Sequence, residues 1–130
     1  MSTRTFREWL TRAAALAAAA VMAVMLFAGA EEAGQQSLVS GPYLDKVAHA
    51  GYFGVFTFAI DRGLAVRSVI PAVATALGLA AADEVHQRQV PGRESDVLDW
   101  CADAFGAAAV TVWRRRRRGR DREGGVAAEK

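Results

Sequence analysis

Residues 83–100 read DEVHQRQVPGRESDVLDW, a run crowded with acids, arginines and a histidine. Before it stands AVATALGLAA (72–81) and after it CADAFGAAAVTVW (101–113), both nearly free of charge. Two apolar segments joined by a polar run with Pro91-Gly92 at its middle read as a helical hairpin with a wet hinge. Asp83, Glu84 and Gln87 then close one helix. Asp96, Asp99 and Asp103 open the next.

Further apolar segments lie upstream. The run Ala13–Ala30, AAALAAAAVMAVMLFAGA, has no charge, and extending it back to Trp9 adds only Arg12. About 20 helical residues cross the hydrocarbon core of a bilayer, so this stretch is long enough to span. A signal peptide competes, because Arg4, Arg7 and Arg12 precede the run and Ala28-Gly29-Ala30 resembles a cleavage site. The length of the run favours a retained anchor. A second segment follows from Tyr43 to Ile60, and DRGLAVR connects it to a third that carries Pro71 in its first turn. The fourth ends at five consecutive arginines.

These segments are apolar around nearly the whole circumference, as lipid requires. Their flanking charges alternate. Arg4, Arg7 and Arg12, then Arg62 and Arg67, then Arg114–Arg118 fall on one side of a four-span chain. Glu31, Glu32 and the acid-rich hinge fall on the other. The positive-inside rule then places both termini in the cytoplasm. The expected architecture is an all-α, integral membrane four-helix bundle, N-in/C-in, multi-pass in the cell membrane, with an extracytoplasmic polar cluster. Residues 1–8 form a basic cytoplasmic N-terminus. Residues 9–113 form the transmembrane domain, with spans at 9–30, 43–60, 68–85 and 97–113. Residues 114–130 form a disordered, basic cytoplasmic tail.

Composition agrees with this division. The 130 residues make one domain, and the net charge of +2 conceals a segregation. Without the six arginines between Arg114 and Arg120, ten basic residues face fourteen acids. The arginine run reads as a topological anchor on anionic lipid, not as a nucleic-acid surface. The single cysteine, Cys101, excludes an intrachain disulfide and reads as a small buried thiol.

The topology makes distant polar residues converge. The start of the second segment and the joint between the third and fourth lie on the same face of the membrane. Asp45, His49, Tyr52 and Phe56 recur on one helical face, as do Asp96, Asp99, Asp103, Gly106 and Val110. Charges inside a hydrocarbon layer cost several kcal/mol unless paired or hydrated, which makes them functional candidates. Seven acids gather here, Asp45, Asp83, Glu84, Glu94, Asp96, Asp99 and Asp103, against the fixed cations Lys46, Arg88 and Arg93. The excess predicts carboxylates that are protonated, hydrated, bound to a cation or balanced by His49 or His86. Asp45 and Asp96, near helix starts, also read as caps. His49, Asp99 and Asp103 are the candidate metal ligands.

At these residues the sequence resembles the VanZ-like family of small bacterial membrane proteins. The shared elements are D-K-x-x-H (Asp45, Lys46, His49), E-x-x-Q (Glu84, Gln87), P-G-R (Pro91, Gly92, Arg93) and D-x-x-D (Asp96, Asp99). Asp103 and Gly106 follow in the family's order and spacing. Asp103 stands where many members carry Asn, which adds one acid to the pocket. The resemblance implies a multi-span envelope protein with its motif residues external. The name-giving member is associated with resistance to the glycopeptide teicoplanin.

Three functions compete. The first is binding or modification of an envelope polymer, a lipid-linked precursor or an amphiphilic antibiotic at the outer leaflet, with Arg93 and Lys46 on phosphate or carboxylate. The second is an intramembrane hydrolase or transferase on a lipid-linked substrate, with Asp99, Asp103 and His49 as acid/base groups or metal ligands. No H-E-x-x-H helix or G-x-S-x-G elbow accompanies it. The third is a proton- or ion-coupled carrier using the aspartate stripe, which in so small a bundle calls for a homo-oligomer. No cofactor is named by these motifs.

Overall fold

The structure, a computed structural model, describes residues 2–32, 42–91 and 96–128. The described residues are all-α and form four helices: α1 (Thr3–Glu32), α2 (Pro42–Leu64), α3 (Ile70–Gln87) and α4 (Val97–Ala128). They stand where the four apolar segments were expected. Arg93 and Glu94 of the expected polar cluster lie outside the described residues.

Local chemistry sets the helix ends. The Ser2 hydroxyl accepts from the Thr5 N–H at 3.3 Å and opens α1. Pro42 opens α2, at a position where a missing N–H costs nothing. The α2 terminus turns through Ala65, which adopts the left-handed conformation with φ 49°. Arg12 of α1 donates to the Gly63 and Leu64 carbonyls there, giving partners to the orphan acceptors of the last turn. Asp96 caps α4, its carboxylate taking the Leu98 N–H at 2.9 Å.

The arginine run continues α4 rather than ending it. Residues 114–130, read as a disordered tail, are helical to Ala128. Arginine is a good helix former, and Arg117 lies 4.9 Å over the Trp113 ring one turn back. A lack of apolar residues denied this segment a core, not a helix.

α2 is the hub, with the most extensive packing against α4 and α1, while α1 and α4 do not meet among the described residues. The closest approach is between α2 and α4. A Cβ on Gly106 would overlap the Ala50 carbonyl, and one on Gly54 would sit 3.4 Å from the Gly106 oxygen. Only glycine lets the two backbones come this near. Tyr52 donates its hydroxyl to the Met22 carbonyl and ties α1 to α2.

The interior is small and mixed. Its apolar part is Phe53, Phe56 and a set of alanines from all four helices. Thr57, Asp61, Asp83, Glu84, Gln87, Asp99 and Asp103 are buried beside them. The large apolar side chains point outward instead, among them Val24, Met25, Val47, Phe58, Ile70, Leu98 and Phe105. Cys101 is exposed on that outer surface, against the expectation of a buried thiol. The apolar character of its sequence neighbours belongs to the outside of the bundle. Among the described residues one helix, over Thr3–Gly29, is by length and composition apolar enough to cross a membrane.

Candidate functional site

The polar cluster forms where the first turns of α2 and α4 meet. Lys46 donates to Asp96 at 2.7 Å and to Asp99, and its ammonium lies 3.7 Å from Asp45. One lysine thus gathers three carboxylates from two helices. A turn deeper, His49 Nδ1 is 3.0 Å from Asp103. This contact orients the ring and leaves Nε2 facing Asp45 and Asp99, at 4.0 Å from each. Asp99 and Asp103 are almost fully buried, whereas Asp45 and Asp96 are open to the surface. The Lys46 ammonium, and after it the Leu98 N–H, hold the Asp96 carboxyl below the usual aspartate range.

Of the sequence candidates, Asp45, Lys46, His49, Asp96, Asp99 and Asp103 come together in one connected set. Gln87 does not join it by hydrogen bonding. Its amide donates to Asp83 on its own helix at 2.6 Å, and both side chains are buried. Glu84 is buried, and its charge is felt with those of Asp99, Asp103 and His49, which places it beside the cluster.

The metal candidates change by one residue. The ligand atoms of Asp45, His49 and Asp99 lie within 4.8 Å of one another. Asp103 drops out of the expected His49, Asp99, Asp103 set because it occupies the opposite ring nitrogen. An imidazole with two carboxylates suits zinc or another first-row divalent ion, with Asp103 behind the histidine as its orienting partner. A cavity of about 180 Å³ opens beside the cluster on the α1 side, lined by Asp45, His49, Tyr52, Phe53, Ala48 and Leu26. It is smaller than the 300 Å³ or so of typical small-molecule sites, so it suits one functional group and not a whole ligand.

Charge decides what that group is. Asp45, Asp96, Asp99 and Asp103 bring four negative charges to Lys46 and His49. Even with His49 protonated, this set lacks two positive charges, and buried Glu84 adds to the deficit unless it is protonated.

The opposite end of α2 holds a polar site that the sequence reading missed. Asp61, buried, pairs with Arg114 of α4, and Arg114 also donates to the Val66 carbonyl. The signal was present: Phe53, Thr57 and Asp61 follow one another at four-residue spacing on the buried face of α2. Reading DRGLAVR only as a connector leaves this acid out.

The family model described as VanZ/LLP1 matches residues 3–114, which covers all four helices up to the Asp61–Arg114 pair. No curated protein and no solved structure matches the chain.

Proposed function

The chain belongs to the VanZ/LLP1 family, and from that premise we propose a multi-pass protein of the cell membrane, with both termini cytoplasmic, that binds or modifies an envelope component at the outer leaflet. The observation that carries this reading is an inversion of polarity. Among the described residues seven polar or charged side chains are buried while Phe58, Phe105, Leu98 and Val47 are exposed. Lipid favours that arrangement and water penalises it. The contact of Tyr52 with α1 and those of Arg12, in α1, with the end of α2 support an anchor that remains part of the bundle.

The ligand is an amphiphile with a positive group, either an amine or a divalent ion bridging to the phosphate of a lipid-linked precursor. That group meets the charge deficit around His49 and Asp99. An open apolar groove of about 680 Å³, running between α2 and α4 from Val47 to Trp113, offers surface for the hydrocarbon part. The same features suit a glycopeptide-type amphiphile. Asp99→Asn and His49→Ala variants, inserted at wild-type level, are expected to change envelope composition or glycopeptide sensitivity in the host. Unchanged values of both would overturn the reading.

One observation favours catalysis at the same site. His49 is oriented by Asp103 on one nitrogen and presents the other to two carboxylates, the arrangement of a positioned acid/base group. Turnover of an isoprenoid-phosphate or phospholipid by purified protein, lost in His49→Ala, would establish a hydrolase or transferase.

A further inference from the structure

At the end of the bundle remote from the acidic cluster, a cavity of about 340 Å³ opens between the α2–α3 connector and α4. Arg67, Arg114 and Arg115 line it together with Ser68 and Thr111, and no acidic residue is among its lining. Arg114 is engaged by Asp61 and the Val66 carbonyl. Arg67 and Arg115 are exposed residues of the cavity wall. The cavity also contains the start of α3, at Val69 and Ile70. Val69 makes no side-chain cap, and the Ser68 hydroxyl takes only the Ile70 N–H, at 3.2 Å. The first turn of α3 spends its N–H groups locally, Ile70 on Ser68 and Val73 on Val69, and Pro71 has none, so the guanidinium groups carry the positive charge of the hollow.

We infer that this cavity binds a phosphate group, the shared chemistry of anionic lipid headgroups and free phosphate. Its volume is at the lower end of small-molecule sites, which fits a headgroup and not a whole lipid. Guanidinium forks match phosphate oxygens in pairs, and Thr111 and Ser68 add hydroxyls to the wall. The site differs from a general attraction between the arginine run and a membrane. It uses Arg67, forty-seven residues before Arg114, and leaves out Arg116 and Arg117.

The experiment uses the full chain in neutral detergent, with lipid retention read by native mass spectrometry and thermal unfolding followed in parallel. Arg67→Gln/Arg115→Gln is compared with Arg116→Gln/Arg117→Gln, which removes the same charge outside the cavity. Phosphatidylglycerol binding is expected to weaken about tenfold or more in the first pair and little in the second. Phosphatidylcholine is expected to be retained by neither. A second arm titrates inorganic phosphate against chloride. Stabilisation by phosphate that is lost in the first pair assigns the site to phosphate from either source. Binding of the lipid alone, lost in the same pair, assigns it to the headgroup. Equal losses in both pairs, no loss in either, or equal retention of phosphatidylcholine would overturn the inference.

Discussion

The two ends of α2 each hold buried acids, and they treat them differently. At its C-terminus Asp61 meets Arg114, and the remaining donors of Arg114 and Arg12 go to the carbonyls of Val66, Gly63 and Leu64. The buried acid there has a partner of opposite sign, and the carbonyls that end the helix have hydrogen bonds. At its N-terminus four carboxylates share Lys46 and His49. Among the described residues, the buried acid at one end is matched by its arginine, and the acids at the other outnumber their cations. A balanced pair is what structure needs, whereas an imbalance that stability alone would remove marks the place where something else binds.

Mutations separate the two ends by their effect on stability. The largest effect is expected from Asp61→Ala, which takes the carboxylate from a half-buried Arg114 and should cost about 2–4 kcal/mol. Thermal unfolding in detergent measures this, and a loss below about 1 kcal/mol would break the assignment of that end as a clamp. Lys46→Met comes next. It removes one charged donor from three carboxylates at a partly open site, for about 1–2 kcal/mol. Asp103→Asn should change stability by no more than about 1 kcal/mol, because it removes repulsion and keeps an oxygen for His49. It is also expected to leave the envelope phenotype largely in place, since Asn is the residue the resembled family commonly has there, whereas Asp99→Asn, at the candidate ligand set, is expected to change it. A strongly destabilised Asp103→Asn would make the cluster structural after all.

The smallest effect is on pH dependence. The Asp96 carboxyl is held low by Lys46 and the Leu98 N–H. A group with a depressed folded value contributes stability above its unfolded value, about 3.9 for aspartate, and loses it as pH falls through the folded one. Stability should therefore fall with acidification below about pH 4, and part of that fall should vanish in Asp96→Asn.

The helices and the acidic stripe were legible because each depends on spacing within one segment. Asp45 and His49 share a helical face wherever the helix goes, and so do Asp99 and Asp103. What spacing does not contain is the rotation of one helix against another. That rotation decided that Asp103 takes the far nitrogen of His49 and that Asp45 faces the near one. It also turned Cys101 outward, and it brought Arg114 to Asp61 and not to the solvent. The helical tail beyond Trp113 was missed for a different reason: polarity was read as disorder where the arginines' own helix propensity prevails. Four spans were expected from hydropathy, and Thr3–Gly29 meets that measure by itself because α2, α3 and α4 carry the buried acids.

The Asp61–Arg114 pair also constrains how the molecule is made. Its two members are 53 residues apart in the chain. At 5–20 residues per second, the ribosome delivers the arginine roughly 3–10 seconds after the aspartate. Arg12, by contrast, has been synthesised before the α2 terminus that it caps. The first two helices can therefore associate early, and Asp61 waits at their edge until α4 arrives. The latch closes last, so a chain truncated before residue 114 carries a bare acid at its seam.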